Sequence, residues 1–181
     1  MPEINKGPVL LCLARNAIAQ RLGAPTRSLA EPAWLDEPGA TFVTLTQQGR
    51  LRGCIGSLTA RRPLGQDVVR NAQAAAFQDP RFPPLDLTEL ETTRVEVSLL
   101  SPQQAMQFRD EADAVGQLRP GVDGVVLECG SHRGTFLPQV WEQLPQPNEF
   151  MDQLKLKAGL AATFWSPAVR LHRYAVEKWK E

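Results

Sequence analysis

Two pairs of β-rich runs, each folded back around a short turn, constrain this chain more than any other feature. Phe42–Thr46 and Leu51–Leu58 are separated by Gln47-Gln48-Gly49-Arg50, and Gly124–Cys129 and Gly134–Leu137 by the turn Gly130–Arg133. Runs joined this closely pair as antiparallel hairpins, because a parallel connection needs a crossover of about a dozen residues or more. A further run, Arg94–Leu100, alternates strictly. Val95, Val97 and Leu99 fall on one face and Arg94, Glu96 and Ser98 on the other, the pattern of a half-buried strand.

Helical spacing lies between these runs. Val9, Leu10, Leu13, Ala14, Ala17, Ile18 and Leu22 form one stripe, opened by Pro8 and stopped by Gly23. Leu64, Val68, Ala72 and Ala75 form a second after Pro63, ending at Asp79-Pro80, since a residue before proline is pushed out of the α region. Residues 24–40, with three prolines and clustered acids, read as a loop. A short helix is expected over Ala112–Leu118, another opened by Pro138, and a third over 149–158 capped by Asn148. Val169–Trp179 reads as a final strand. Helices interleaved with hairpins predict an α+β fold, a mainly antiparallel sheet with flanking helices.

Composition excludes several functions. With 43% hydrophobic residues, and 20 Lys+Arg against 20 Asp+Glu, the chain is neither disordered nor a general polyanion binder. Cys12, Cys54 and Cys129 form no C-x-x-C pair, and His132 and His172 are far apart in sequence, so neither a metal site nor a disulfide framework is expected. No P-loop or dinucleotide fingerprint occurs, and no cofactor is expected. Met1–Lys6 shows no leader, no run approaches the ~20 apolar residues of a membrane span, and reduced thiols fit a cytoplasmic protein.

The stretch that could carry chemistry is Leu51-Arg52-Gly53-Cys54-Ile55-Gly56. Uninterrupted alternation would put Leu51, Gly53 and Ile55 toward the core and Arg52 beside Cys54 on the opposite face. A guanidinium beside a thiol favours the reactive thiolate. Gly53 and Gly56 would let a ligand or another backbone approach closely. Cys54 is thus the candidate nucleophile, with Arg52, Gly53 and Gly56 as ligand-binding candidates. The plainer reading is that Cys54 is a small buried hydrophobe and the glycines mark a bulge.

Charge is distributed unevenly along the chain. Residues 38–66 carry Arg50, Arg52, Arg61 and Arg62 and no acid. Residues 86–113 carry seven acids against Arg94 and Arg109. One reading is an anion site at the first hairpin, joined by Arg81 and Arg133, because arginine captures carboxylate or phosphate bidentately. The other is that these arginines pair with the acidic stretch. In the run Asn71-Ala72 through Phe77-Gln78-Asp79-Pro80-Arg81-Phe82, Asn71 and Asp79 are further candidates. Asp79 is suited to accept backbone N–H bonds at the turn, and Arg81 is held between prolines. Phe82 and Trp141 read as core residues.

These segments, with Val95–Leu100, Pro120-Gly121-Val122-Asp123-Gly124-Val125, Gly134–Trp141 and Lys157-Ala158-Gly159-Leu160, resemble the AMMECR domain family, component A of the AmmeMemoRadiSam system. The resemblance spans nearly all of residues 1–181 in order. It implies one domain of two lobes, the larger built from both chain ends and the smaller from the middle, with a cleft near the six-residue motif. It also implies association with a Memo-like protein and a radical-SAM enzyme, and it supplies no assigned catalytic residue. His132 belongs to none of these motifs. Three functions remain open: a reactive component of a modification pathway, a non-catalytic adaptor for the same partners, or an RNA-associated protein whose Arg-rich hairpin meets the polyanion.

Overall fold

A computed structural model describes residues 5–181, so most of the Met1–Lys6 segment, where no leader is expected, lies outside the described residues. In chain order the elements are α1 (Gly7–Arg21), β1 (Pro38–Gln47), β2 (Arg50–Gly56), β3 (Arg62–Pro63), α2 (Leu64–Phe77), β4 (Thr93–Leu100), β5 (Gln104–Ala105), α3 (Glu111–Gln117), β6 (Gly124–Cys129), β7 (His132–Phe136), α4 (Pro147–Lys157), β8 (Arg170–Tyr174) and β9 (Val176–Lys180). This is the expected α+β fold. The chain divides into two compact units, one from residues up to Leu100 with Glu177–Glu181, the other Ser101–Val176.

In the first unit the sheet order is β2-β1-β4-β9, with β3 also pairing β1. β1 pairs antiparallel with β2, β3 and β4. Both helices cover one face. Leu10, Ala14 and Ile18 of α1 and Val68, Ala72 and Ala75 of α2 pack on Val43, Leu45, Val95 and Val97. At the end of α1, Gly23 (φ 72°) donates to the Gln20 carbonyl and Ala24 to that of Ala19, closing the helix as glycine stops do. The 24–40 stretch is less of a loop than expected, since a 3-10 turn forms at Ala33–Asp36 and β1 starts at Pro38.

The β1–β2 hairpin turns on two residues, Gln48 (φ 50°) and Gly49 (φ 74°), the geometry that matches strand twist. Its register is Thr44 with Cys54 and Leu45 with Gly53, then Thr46 with Leu51. Arg52 is the extra residue of a β-bulge. Leu51 is therefore displaced from the core to the face of Thr44, Thr46 and Cys54, where it is 42% exposed. On the core face, a Cβ at Gly53 would lie 2.1 Å from the Ala75 carbonyl oxygen of α2. Only a bare glycine allows that approach. Ser98, expected on the open face with Arg94 and Glu96, is buried.

In the second unit the sheet order is β5-β8-β6-β7, and its pairings are antiparallel. Its core gathers Val125, Leu127, Phe150, Leu154 and Leu171 around Trp141, which stacks on Phe150 at 3.8 Å. Trp141 Nε1 donates to the Asp123 carbonyl at 2.7 Å. The α4 cap differs from expectation: Gln146 occupies it, because Pro147 starts the helix ahead of Asn148. The single strand expected over Val169–Trp179 is two strands in different sheets, parted at Ala175. Among the described residues no helix is long and apolar enough to cross a membrane.

Gly53→Ala is expected to lose about 3 kcal/mol in urea unfolding, since the new methyl meets backbone rather than a movable side chain. Gly116→Ala, exposed in α3 with open space at its Cβ position, should gain roughly 0.5–1 kcal/mol from helix propensity.

Candidate functional site

β2 is the outer strand of its sheet; two carboxylates fasten it, and a third ties the residue that follows it. Asp79, buried at the exit of α2, accepts the Cys54 backbone N–H at 2.9 Å. The same carboxylate receives the Arg81 side chain twice, Nε at 3.0 Å and Nη2 at 2.7 Å, and the Arg81 backbone N–H at 3.1 Å. Arg81 Nη2 also donates to the Cys54 carbonyl at 3.4 Å. The Asp79–Arg81 pair thus answers both backbone groups of Cys54, as a neighbouring strand would. These bonds, led by that from the Arg81 side chain, hold the Asp79 carboxyl well below the usual carboxylate range against the opposing effect of burial.

The second carboxylate is Glu89. It receives Arg52 bidentately, Nε at 2.9 Å and Nη2 at 3.0 Å, and Gln47 Nε2 at 3.2 Å. Gln47 follows Leu45 at a spacing of two, so Arg52 turns toward the core side of the strand and not to the face of Cys54. The side-by-side placement expected of Arg52 and Cys54 is therefore corrected by the bulge. Arg52 is buried, its guanidinium lies 5.9 Å from the Phe82 ring centroid, and its Nη1 has no hydrogen-bond partner among the described residues. Phe82 is only half-buried, between Arg52 and Arg81; Leu85 takes the core position instead.

The third carboxylate, Asp67, is buried in the first turn of α2. It accepts Thr41 N–H, Thr41 Oγ1, Ser57 Oγ, Arg62 Nη1 and Asn71 Nδ2 at 2.8 to 3.0 Å. Asn71 also donates to the Thr41 carbonyl at 3.0 Å, which makes it a bracket between α2 and β1. Gly56 makes room for the Phe42 ring, as a Cβ there would lie 2.2 Å from it. Arg133 lies in the second unit, paired with Glu128 at 3.1 Å across β6 and β7. Both histidines also belong to that unit, where His132 Nδ1 meets the Ala158 carbonyl at 3.1 Å.

Two of the four hairpin arginines are thus answered by carboxylates: Arg52 pairs with Glu89 of the acidic stretch, as in the ion-pair reading, and Arg62 with Asp67, which lies outside that stretch. On the open face, Cys54 is partly exposed, with Thr44 Oγ1 at 3.3 Å from its sulfur. The Arg81 side chain, 54% exposed, reaches the Cys54 carbonyl, and among the described residues its hydrogen bonds leave Nη1 unused. Among the described residues no group of three or more His, Cys, Asp or Glu is placed to hold a metal ion.

Comparison with known proteins accounts for nearly the whole chain. The AMMECR1 family profile matches residues 11–179. The chain belongs to the AMMECR1 family. A protein of Methanothermobacter thermautotrophicus is similar at 36% identity, over 98% of this chain and 95% of its own length. One from Thermofilum pendens is 32% identical, over 97% and 90%. The crystal structure of the uncharacterized protein PH0010 from Pyrococcus horikoshii superposes with a TM-score of 0.81 at 32% identity, covering 97% of this chain and 91% of that one.

In this AMMECR1 chain, sequence reasoning missed Thr44, Asp67 and Glu89. Only Glu89 carried a local signal: Asp86-Leu87-Thr88-Glu89 spells a capping box, and the structure forms it. Bonding to Arg52 above all, helped by the Asp86 N–H and Gln47 and opposed by burial, lowers the Glu89 pKa from 4.5 to about 2. The stabilisation from this lowered pKa is full above about pH 4.5 and is lost as pH falls toward 2. Glu89→Gln should be less stable than the parent at neutral pH, with the gap closing between pH 4.5 and 2 in thermal unfolding. A gap independent of pH would contradict this assignment.

Proposed function

We propose that Cys54 is the reactive group of this chain, accepting a group transferred from a donor that carries a carboxylate or phosphate. The observation that carries this reading is the partly exposed Cys54 thiol beside the half-exposed Arg81, whose orientation Asp79 fixes and whose Nη1 is unused. Asp79 is fully committed, so Arg81 is preorganised rather than free to wander. In the step, sulfur attacks an electrophilic carbon of the donor and a sulfur–carbon bond forms. The bond from that carbon to its leaving group breaks, the leaving group takes the electron pair, and the thiol proton passes to solvent. Arg81 Nη1 holds the anionic handle, and the Thr44 hydroxyl orients the sulfur.

The pathway setting follows from the family resemblance: a cytoplasmic modification pathway in which a Memo-like protein and a radical-SAM enzyme act before or after this chain. An RNA partner has less support, because Asp67 and Glu89 already occupy two of the hairpin arginines that suggested it. One observation favours the adaptor reading. Leu51, exposed on the same face as Cys54, is an apolar side chain suited to the centre of an interface.

Parallel alkylation with iodoacetamide and iodoacetate, followed site by site by mass spectrometry, tests the proposal. All three thiols are partly buried, so exposure class alone does not separate them. Cys54 is expected to react faster than Cys12 and Cys129 with the neutral reagent. Its preference for the anionic reagent should exceed that of Cys129 by about tenfold. Equal rates at the three thiols would remove the reactive role. Equal reagent ratios would remove the anion handle. Cys54→Ser separates the two readings: a reactive component keeps partner binding and loses pathway function, whereas an adaptor keeps both.

A further inference from the structure

Helix α1 has two working faces. Leu10, Ala14 and Ile18 enter the core. A second stripe, Pro8, Leu11, Cys12, Arg15, Asn16 and Ala19, lines a groove of about 1090 Å³ on the outside of the first unit. Its spacing of 0, 3, 4, 7, 8 and 11 follows one side of the helix, and at 1.5 Å per residue it runs about 16 Å. The opposite wall includes Leu87, Leu90, Glu91 and Arg94, and Pro25 and Arg27 close a third side.

The walls are fixed before anything binds. Asn16 clamps the main chain of Arg27, its Oδ1 accepting the N–H at 2.9 Å and its Nδ2 donating to the carbonyl at 2.8 Å. Arg15 donates to the Leu90 carbonyl at 2.8 Å and the Thr93 carbonyl at 2.6 Å, and pairs with Glu181. A groove held open in this way costs its ligand little ordering.

Its lining mixes apolar side chains, Leu11, Leu87 and Leu90, with the polar Arg15, Asn16 and Thr88, and two further arginines stand at its sides. Leu87 is 54% exposed, one of the few large apolar side chains left so open. Arg27 and Arg94 are exposed and have no carboxylate partner among the described residues, against one unpaired lining carboxylate, Glu91. The groove also exceeds the ~300–1,000 Å³ usual for small-molecule pockets. We propose that it receives a short amphipathic helix of a partner protein. That helix lays a leucine-type face on Leu11, Leu87 and Leu90 and an acidic flank toward Arg27 and Arg94, with about three turns engaged. This inference is independent of the chemistry at Cys54.

Three labelled synthetic helices of about fourteen residues test it, titrated against the full chain by fluorescence anisotropy. The first carries a leucine stripe with glutamate flanks, the second the same stripe with lysine flanks, and the third glutamate flanks with serine in place of leucine. The first should bind at least about tenfold more tightly than the others. Arg27→Glu with Arg94→Glu should reverse the preference between the first two, and Leu87→Asp should weaken the first by about tenfold. In the unmodified chain, the first helix should slow alkylation of Cys12 while leaving Cys54 unaffected. The proposal is overturned by equal binding of acidic and basic helices, or by a preference the charge reversals do not move. No binding below about 1 mM, or Cys12 alkylated at its free rate under saturation, would overturn it too. A Leu87-dependent dimer in light scattering would assign the groove to a second copy instead.

Discussion

Among the described residues β2 pairs with only one neighbour, and the candidate site depends on how its free edge is held. Asp67 of α2 ties Ser57, the residue after the strand, while Asp79 and Glu89 reach the strand from the turn after α2 and from a capping box near β4. Each is paired with an arginine: Arg62, Arg81 and Arg52 in turn. Burying a carboxylate is tolerable only where a cation and further donors meet it, and here each carboxylate has both. An edge so fastened is closed to another strand where Cys54 lies. The pairing also explains how a neutral chain holds an acid-free arginine segment: acids from beyond that segment answer Arg52 and Arg62.

The bulge at Arg52 has the larger consequence for chemistry. It sends the guanidinium to Glu89 and Phe82 and brings Leu51 out beside Cys54. Most of the polar groups expected to meet a ligand are thereby spent on structure. Arg52 neutralises Glu89, Gly53 accommodates Ala75, Asn71 brackets Thr41, and Asp79 caps the edge. Remaining on the open face around Cys54 are its thiol, the Thr44 and Thr46 side chains, an exposed leucine and one oriented guanidinium, with Glu96, already paired with Lys180, across from Thr44. That short inventory supports a small site built around sulfur rather than a large anion pocket.

How much of this was legible in the sequence depends on the range of the interaction. Both hairpins, α1 and α2 were readable because turn residues, prolines and apolar spacing act within a few positions. A bulge was legible only as the plainer reading of the glycines, and its position at Arg52 was not, because a one-residue insertion in a run containing Gly53 and Gly56 leaves the apolar pattern unchanged and shows only in the register with Thr44–Thr46. Nor were the three acid–arginine pairs assigned, apart from the hint of the capping box, since the partners are chosen by tertiary packing. The last strand read as continuous because nothing at Ala175 signals a break, and only the change of partner strand divides it. Asn148 looked like a cap because its side chain suits one, yet Pro147 had already set the helical backbone.

The claim that Asp79 serves as a surrogate strand for the β2 edge is open to direct measurement by amide hydrogen exchange at Cys54. With the Asp79 carboxylate in place the Cys54 N–H should be protected. In Asp79→Ala, which removes that acceptor, it should exchange far faster while Val43 and Val97 in the neighbouring strands keep their protection. A Cys54 amide equally protected in both proteins would contradict the account.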